Sequence, residues 1–448
     1  MAALILGIGI FIYQGLQEFK SQALDLHMPV STWVAKFPFA DSTSYLQVGQ
    51  NFAHGHGING CAEPTCTSGV YTPFVYWGPG AAWVLGMVMK ISHQDTMFQF
   101  FVFLILSQIV VACLAGSMMR LLTQNQWIIG ITVFLSALGI HMQRYVFGVG
   151  LTSSEVTGLI PFSIFFYLLL RLWIRLWGSS DSAHQKEILC LAGLAGITIG
   201  LVSLIRDSNF QFAKFLLVGI PLLALIRDRR KFVLSLGVGM LLVGLAASVR
   251  LPILKWNKKR IGVAVMATSS NIWHESVWLQ HDAADWYIDT GIGMAQYLDP
   301  QAAIDVKKAY ENGTGGNFYS FRRCLGVLLS NPLRVIKFKA VRLPILLGTS
   351  HWPESKLAPF VVWCFCFYLM LAIYLLRAAM AKYWPLDVTY FYMLFLACSS
   401  LFIHFEFRYT YPIWITLYLV PGLIYLQWLG LSETSPGTMR AVPQTQRV

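Results

Sequence analysis

The chain has 448 residues, of which 56% are hydrophobic and only 12% are charged, and its mean hydropathy is +0.58. Soluble domains carry about a quarter charged residues, so this chain cannot cover itself with a water-facing surface. The net charge is +12, but the basic residues lie in loops between apolar runs and not on one soluble face. This distribution argues against a nucleic-acid partner and favours a lipid bilayer with anionic or phosphorylated lipid.

Crossing the hydrocarbon core takes about 20 apolar residues, and ten runs approach or meet this length. The sequence therefore predicts an all-α polytopic membrane protein with about ten transmembrane helices. The first run lacks a basic leader and a small-residue cleavage site, so we expect a retained helix and not a signal peptide. The predicted helices are 2–19, 97–119, 127–147, 157–177, 188–205, 211–226, 232–251, 358–379, 386–404 and 412–429.

Lys and Arg are concentrated in short loops such as "RDRRK" and are sparse in the loop 20–95. The positive-inside rule then places both termini in the cytoplasm and two large loops outside. The sequence predicts four parts. An N-terminal membrane module (1–251) includes the first outer loop (20–95), and an outer loop domain (252–357) follows it. The last transmembrane helices (358–431) and a cytoplasmic tail (432–448) complete the chain.

Part of the first outer loop, "YTPFVYWGPGAAWVLGMVMKI" (71–91), is apolar enough to be counted as a further span. Pro79 and Gly80 interrupt it, and a span here would invert every later loop. We therefore expect a helix that lies along the outer membrane surface. Upstream of it, Cys61 and Cys66 flank the turn "CAEPTC". They are either a local disulfide, which needs an oxidising compartment, or two free thiols.

The most polar stretch of the first loop is "FPFADSTSYLQVGQNFAHGHGING" (37–60). Asp41 follows a Pro-containing turn and precedes apolar residues at helical spacing. A carboxylate there can cap the helix by accepting from its first amides. It can also act as a general base that takes a proton from an acceptor hydroxyl. The two roles are compatible, because capping holds the carboxylate in place.

The order of "DSTSY", "AHGHG" and "YTPFVYWGPG" resembles the first outer loop of the GT-C integral-membrane glycosyltransferases. The similarity is to the dolichyl-phosphate-mannose protein mannosyltransferases and the bacterial aminoarabinose transferases. Later segments agree in order and in predicted sidedness: "LTSSEVTGLIPFSIFFYLLLR", "GLVSLIRDSN" and "HFEFRYTYPIW". The Lys-Pro-Pro of many aminoarabinose transferases is absent here, so their substrate is not carried over.

The resemblance implies an inverting transfer of a sugar from a polyprenyl-phosphate donor to a hydroxyl of a lipid, glycan or protein acceptor. It places the reaction at the outer face, which we expect to be the periplasmic face of a bacterial inner membrane. Asp41 would be the base and Glu155 a second acid. Expected substrate contacts are Tyr45, His54, His56, Tyr76, Trp77, Arg144, Arg206, Arg408 and Tyr409. The resemblance makes no cofactor certain. A divalent metal is possible but not favoured, since two histidines supply too few ligands.

Several of these residues also have a purely structural interpretation. Glu155 can be a favourable charge on a helix N-terminus, and Arg206 can pair with the adjacent Asp207. Arg144 can extend to lipid headgroups, and Arg408 can pair with Glu406. His54 and His56 can be solvated turn residues. Three other functions stay open: a polysaccharide polymerase or ligase with a lipid-diphosphate donor, a lipid or sugar transporter, and a non-catalytic assembly protein.

Overall fold

The computed structural model describes residues 1–37, 41–61, 68–74, 77–139, 149–178 and 184–262, together with the single positions 264, 266, 332, 333, 388, 391, 392, 395, 418 and 419. The predicted last three helices, the tail and nearly all of the predicted outer domain lie outside these residues. Within them the chain is mostly helical, as predicted. The helices are α1 (Ala2–Ser21), α2 (Val30–Lys36), α3 (Asp41–Ala53), α4 (Gly80–Ser92), α5 (Phe98–Arg120), α6 (Gln126–Leu138), α7 (Ser154–Thr157), α8 (Leu159–Gly178), α9 (Gln185–Ile205), α10 (Ser208–Arg227) and α11 (Phe232–Ile261).

Six of the described helical segments are long and apolar enough to cross a membrane: those containing α1, α5, α8, α9, α10 and α11. Large apolar side chains on such helices point outward, including Ile226 at 81% exposure and Val233 at 78%. Outward apolar side chains on several neighbouring helices require lipid as the surrounding solvent. The chain is therefore an integral, multi-pass membrane protein. α6 is apolar but shorter, and the second part of the predicted helix 127–147 falls outside the described residues.

Aromatic rings fill the core between the helices. Trp33, Phe100, Phe165, Trp173 and Phe212 are fully buried and belong to one continuous cluster. The most extensive helix pairs are α9 with α11, α10 with α11, α3 with α4, and α8 with α9. The first outer loop is thus not a free connection, because two of its helices pack closely on each other and on the bundle.

Glycines allow α3 and α4 to approach closely. A Cβ added at Gly86 would lie 2.6 Å from the carbonyl oxygen of Gly49, and one added at Gly49 would lie 3.0 Å from the Ala82 oxygen. Only residues without a side chain fit at such a crossing. The helix that begins at Asp41 is therefore held in one position relative to α4.

Two strands depart from the all-α prediction. β1 (Asn59–Cys61) pairs antiparallel with β2 (Tyr71–Pro73), with Gly60 opposite Thr72. The helix predicted over 71–91 is wrong for its first part, because residues 71–73 form β2 and α4 begins only at Gly80, after Pro79. Thirteen residues of helix measure about 20 Å, too short to span the membrane. The position of α4 along the membrane surface stays a prediction.

Two further boundaries are informative. The helix predicted over 232–251 continues ten residues further, to Ile261, with Pro252 inside it. The C-terminal end of this helix therefore carries the basic stretch that the sequence assigned to the loop domain. Cys61 is disulfide-bonded, and residues 62–67, which include Cys66, lie outside the described residues.

Candidate functional site

Asp41 is the first residue of α3, and the start of this helix is tied to a distant part of the chain. Asp41 is half-buried, while the next two residues, Ser42 and Thr43, are buried. The Thr152 hydroxyl donates a hydrogen bond to the carbonyl oxygen of Ser42 at 3.1 Å. Thr152 ends a 3₁₀ turn, Val149–Thr152, that leads into α7. The predicted base therefore lies beside the segment that carries the second predicted acid.

That second acid, Glu155, lies in α7, and its side chain is only 4% exposed. Its carboxylate pairs with Arg206, and the Ser154 hydroxyl donates to Glu155 Oε2 at 3.2 Å. A carboxylate buried to this degree stays ionised only with such partners. Two of the predicted site residues, Glu155 and Arg206, are thus in direct contact.

Arg206 and Asp207 do not form the local pair that one interpretation expected. Arg206, which follows α9, has an extended backbone, while Asp207 is already helical. The two side chains therefore project differently, and Asp207 pairs with Arg250 of α11. The correction matters for function, because Arg206 links to α7 and Asp207 links to α11.

The beginning of α4 packs directly against the end of α9. A Cβ at Gly80 would lie 2.7 Å from the main chain of both Leu204 and Ile205, which precede Arg206. Trp77, three residues before Gly80, is partly buried against the core. In the predicted orientation, the starts of α3, α4 and α7 and the end of α9 all lie at the outer end of the bundle.

Tyr45 is buried, and its ring contacts that of Phe74, with 6.2 Å between centroids. It thereby joins α3 to the segment that follows β2. Tyr392 was not among the predicted residues. It is buried and lies within electrostatic reach of Arg206 and Glu155. A tyrosine in an apolar predicted helix gave no signal that would have distinguished it from a core residue.

The two predicted histidines lie in different surroundings. The His56 ring stacks on Tyr71 at 4.4 Å, beside the strands. His54 lies near Asp95, which also accepts from Gln50 at 3.4 Å. Partial burial raises the pKa of the Asp95 carboxyl, and His54 opposes that rise. Within the described ranges, no three His, Cys, Asp or Glu side chains are grouped so that they could hold a metal.

Arg260 is a residue that the sequence analysis missed. From the end of α11 its guanidinium donates to the Ile58 oxygen at 3.3 Å and to Asn59 Oδ1, and it stacks on Trp256 at 4.5 Å. Asn51 of α3 donates to the Asn59 oxygen at 2.8 Å. The basic run "KWNKKR" was a signal, but it was assigned to a loop.

Four predicted contact residues lie outside the described part of the chain and stay predictions: Tyr76, Arg144, Arg408 and Tyr409. The described geometry pairs Glu155 with Arg206, and the Thr152–Ser42 hydrogen bond joins the start of the Asp41 helix to the segment that leads into Glu155. His54 and His56 interact with different groups, and Tyr45 is buried in the core.

Comparison with known proteins gives structural neighbours only. No family model matches the sequence, and no curated protein matches it. The oligosaccharyltransferase AglB of Archaeoglobus fulgidus, with an inhibitory peptide and a dolichol-phosphate, is 15% identical at a TM-score of 0.48, over 95% of this chain and 51% of that one. Its apo form gives 14% identity, a TM-score of 0.49, and coverage of 95% and 51%. Its complex with Zn and sulfate is 13% identical at a TM-score of 0.48, over 96% of this chain and 52% of that one.

The chain thus spans about half the length of the structures it matches. These structures are all of an oligosaccharyltransferase. At these identities and TM-scores the similarity carries no argument about activity. The proposal below therefore depends on the chain's own residues.

Proposed function

We propose that this chain is a GT-C-type glycosyltransferase that moves a sugar from a polyprenyl-phosphate donor to an acceptor hydroxyl. The reaction takes place at the outer membrane face, the periplasmic face if the membrane is a bacterial inner membrane. Asp41 is the general base, and Glu155, held by Arg206, positions the acceptor. The acceptor is a lipid, a glycan or a protein.

One observation supports this proposal above the others. The Thr152–Ser42 hydrogen bond joins the start of the Asp41 helix to the segment that carries the buried Glu155–Arg206 pair. Three charged residues from three distant parts of the sequence thereby lie at one end of an apolar bundle. Charged groups are expensive in such a setting and are retained there mainly for function.

The chemistry matches these groups. In the donor the phosphate is a diester, and it leaves as a monoester when the acceptor oxygen attacks the anomeric carbon. The enzyme must remove the acceptor proton, align the two reactants and stabilise the extra negative charge. Asp41 serves the first task and Glu155 the second. Arg206, together with the predicted Arg144 and Arg408, serves the third.

The decisive experiment is a transfer assay on the purified full chain in lipid, with a panel of radiolabelled polyprenyl-phosphate sugars and an envelope extract as acceptor. Asp41→Asn should lower transfer about 100- to 10,000-fold, the range of general-base catalysis. The matched control is Asp25→Asn, since Asp25 is an exposed acid of the same outer segment. Equal activity of Asp41→Asn and wild type would remove the base assignment. The same assay in the presence of EDTA tests for a metal requirement, and we expect transfer to persist.

Thr152→Val tests whether the hydrogen bond to Ser42 positions Asp41. We expect a loss of about 1 kcal/mol in stability and a fall in kcat of about 10- to 100-fold, with the pH dependence of kcat unchanged. Thr198→Val is the control, because the Thr198 hydroxyl bonds only within its own helix, to the Leu194 oxygen at 2.7 Å. If Thr152→Val lost stability but kept the wild-type kcat, Thr152 would have a structural role and would not position Asp41.

A further inference from the structure

The exposed residues of α11 change character once along the helix. Up to Pro252 every exposed residue is uncharged, and after it every exposed residue of the helix is a lysine. The exposed positions recur at helical spacing, so they form one stripe along α11. The uncharged part includes Val233, Met240 and Leu251, and the part that follows, here called the lysine face, consists of Lys255, Lys258 and Lys259.

The length of the uncharged part matches the hydrocarbon core of a bilayer. From Val233 to Pro252 the helix measures about 30 Å at 1.5 Å per residue, and the hydrocarbon core is about 30 Å thick. Lys255 and Lys259 then lie about 5 to 10 Å beyond the core, at the depth of the lipid headgroups. The stripe thus has apolar surface where acyl chains lie and cations where phosphates lie.

The lysine face lies at the end of the bundle that carries the candidate site. Arg250, shortly before Lys255 on α11, pairs with Asp207, which follows Arg206 in the chain. Arg206 in turn holds Glu155. The predicted orientation places this end outside the cell membrane, where the positive-inside rule does not favour cations. The rule therefore does not account for these lysines.

The charge of the lysine face is not balanced by acids. The sequence contains no Asp or Glu between Asp228 and Glu275. Within the described ranges, the face takes part in none of the salt bridges. Lys255 has a like charge at both i+3 and i+4, an arrangement that destabilises a helix. The helix C-terminus favours the two lysines of the last turn, but Lys255 lies before that turn. An anion from outside the chain is therefore the physical expectation.

We propose that the lysine face binds anionic phospholipids of the leaflet on the side of the candidate site. The lysine stems lie along the apolar surface and the ammonium groups contact the phosphodiesters, while the acyl chains follow the stripe past Leu251 and Met240. The occupants are bulk phospholipids and not the sugar donor. The lysines lie on the exposed side of α11, while Arg250 and Asn257, on the opposite side, are buried in the bundle.

The test is native mass spectrometry of the full chain released from bilayer discs that contain equal amounts of phosphatidylglycerol and phosphatidylcholine. Lys255→Gln should weaken the binding of phosphatidylglycerol to this face about fivefold, the contribution of one lysine near an anionic surface. Replacement of all three lysines by glutamine should lower the retained phosphatidylglycerol further. Other basic ends of the bundle retain lipid in every variant, so the difference from wild type is the measured quantity.

The matched control replaces the same three lysines by arginine. It keeps the charge and should keep the wild-type retention of phosphatidylglycerol. Equal retention of the two lipids by wild type would overturn the proposal. So would wild-type retention in the triple glutamine variant, or a loss in the arginine variant equal to that in the glutamine variant.

Thermal midpoints separate lipid binding from an effect on the helix end alone. Phosphatidylglycerol should raise the midpoint of wild type more than that of the triple glutamine variant, because a ligand of the folded state stabilises it. A variant that is destabilised equally in both lipids would overturn the proposal.

Two further arms identify the lipid. Retention of a polyprenyl-phosphate sugar in place of phosphatidylglycerol would show donor binding and overturn the phospholipid assignment. Asp41→Asn protein should retain phosphatidylglycerol as wild type does, so a failure of the proposed transfer reaction leaves this test unaffected.

Discussion

The guanidinium of Arg206 pairs with the buried carboxylate of Glu155, which lies 51 positions earlier in the chain. The Arg206 side chain is 26% exposed and that of Glu155 only 4%. The pair joins the end of α9 to α7, and α7 lies next to the turn that holds the start of α3. Removal of either partner should therefore affect the geometry around Asp41 as well as stability.

Arg206→Met should lower the free energy of unfolding by about 3 to 5 kcal/mol, because it removes the cationic partner of a buried carboxylate. Glu155→Gln combined with Arg206→Met should recover much of that loss. Denaturant titration of the two single variants and the double variant measures the coupling. The control is Arg171→Met, since Arg171 forms a more exposed pair with Glu187, which Arg175 also contacts, and its loss should cost less than about 1 kcal/mol. Strictly additive losses for Glu155 and Arg206 would contradict the pairing.

Gly80→Ala should destabilise the protein by about 1 to 3 kcal/mol, since its Cβ would meet the main chain of Leu204 and Ile205, which cannot move aside. The thermal midpoint of the purified protein measures this. Gly9→Ala is the control: it lies on the exposed side of α1, and a Cβ there meets nothing within 4 Å. A helical alanine should stabilise at that position by up to about 1 kcal/mol. Equal behaviour of the two variants would refute the close contact between α4 and α9.

Arg260→Lys should loosen the β1–β2 hairpin, although the charge is retained. A lysine cannot donate to the Ile58 oxygen and Asn59 Oδ1 together while it stacks on Trp256. Limited proteolysis should show faster cleavage between residues 54 and 74 in this variant. Lys259→Gln, at an exposed neighbouring position, should leave the cleavage rate unchanged. Protection equal to wild type in Arg260→Lys would show that the hairpin does not depend on this contact.

Asp95 should make stability depend on pH at the acidic end. Partial burial raises its pKa in the folded protein, while the unfolded carboxyl titrates near its ordinary value. Its favourable contribution is therefore complete below the unfolded pKa, about 3.9, and is lost as the pH rises through the folded pKa. Thermal midpoints measured from about pH 4 upward should fall less steeply for Asp95→Asn than for wild type. The control, Asp25→Asn, should keep the wild-type dependence of the thermal midpoint on pH. If Asp95→Asn also kept it, burial would not shift the pKa of Asp95.

The helices could be predicted well from the sequence because lipid selects long apolar runs, and α1, α5, α8, α9 and α10 begin and end close to the predicted positions. α11 was cut short because its last turns are basic. A charged stretch ends a membrane span, but it does not end a helix. β1 and β2 were missed since three-residue strands depend on pairing and not on local pattern.

The candidate site was only partly predictable for a similar reason. Asp41, Glu155 and Arg206 could be recognised as polar residues at helix ends. The partners of these residues could not be predicted, because pairing depends on how the helix ends are placed in space. The adjacent charges of Arg206 and Asp207 suggested a local pair, yet the turn between α9 and α10 directs them to α7 and α11. Arg250 lies within an apolar run, and only the packing of α10 on α11 brings it to Asp207.

The contact of Arg260 with the hairpin has a mechanical consequence. Arg260 holds Ile58 and Asn59, Asn59 accepts from Asn51, and Asn51 belongs to the same rigid helix as Asp41. We expect a displacement of the C-terminal end of α11 to reach α3 through this short series of hydrogen bonds. Arg260, the second-to-last residue of the described helix, would then be the point through which a movement of α11 alters the position of α3.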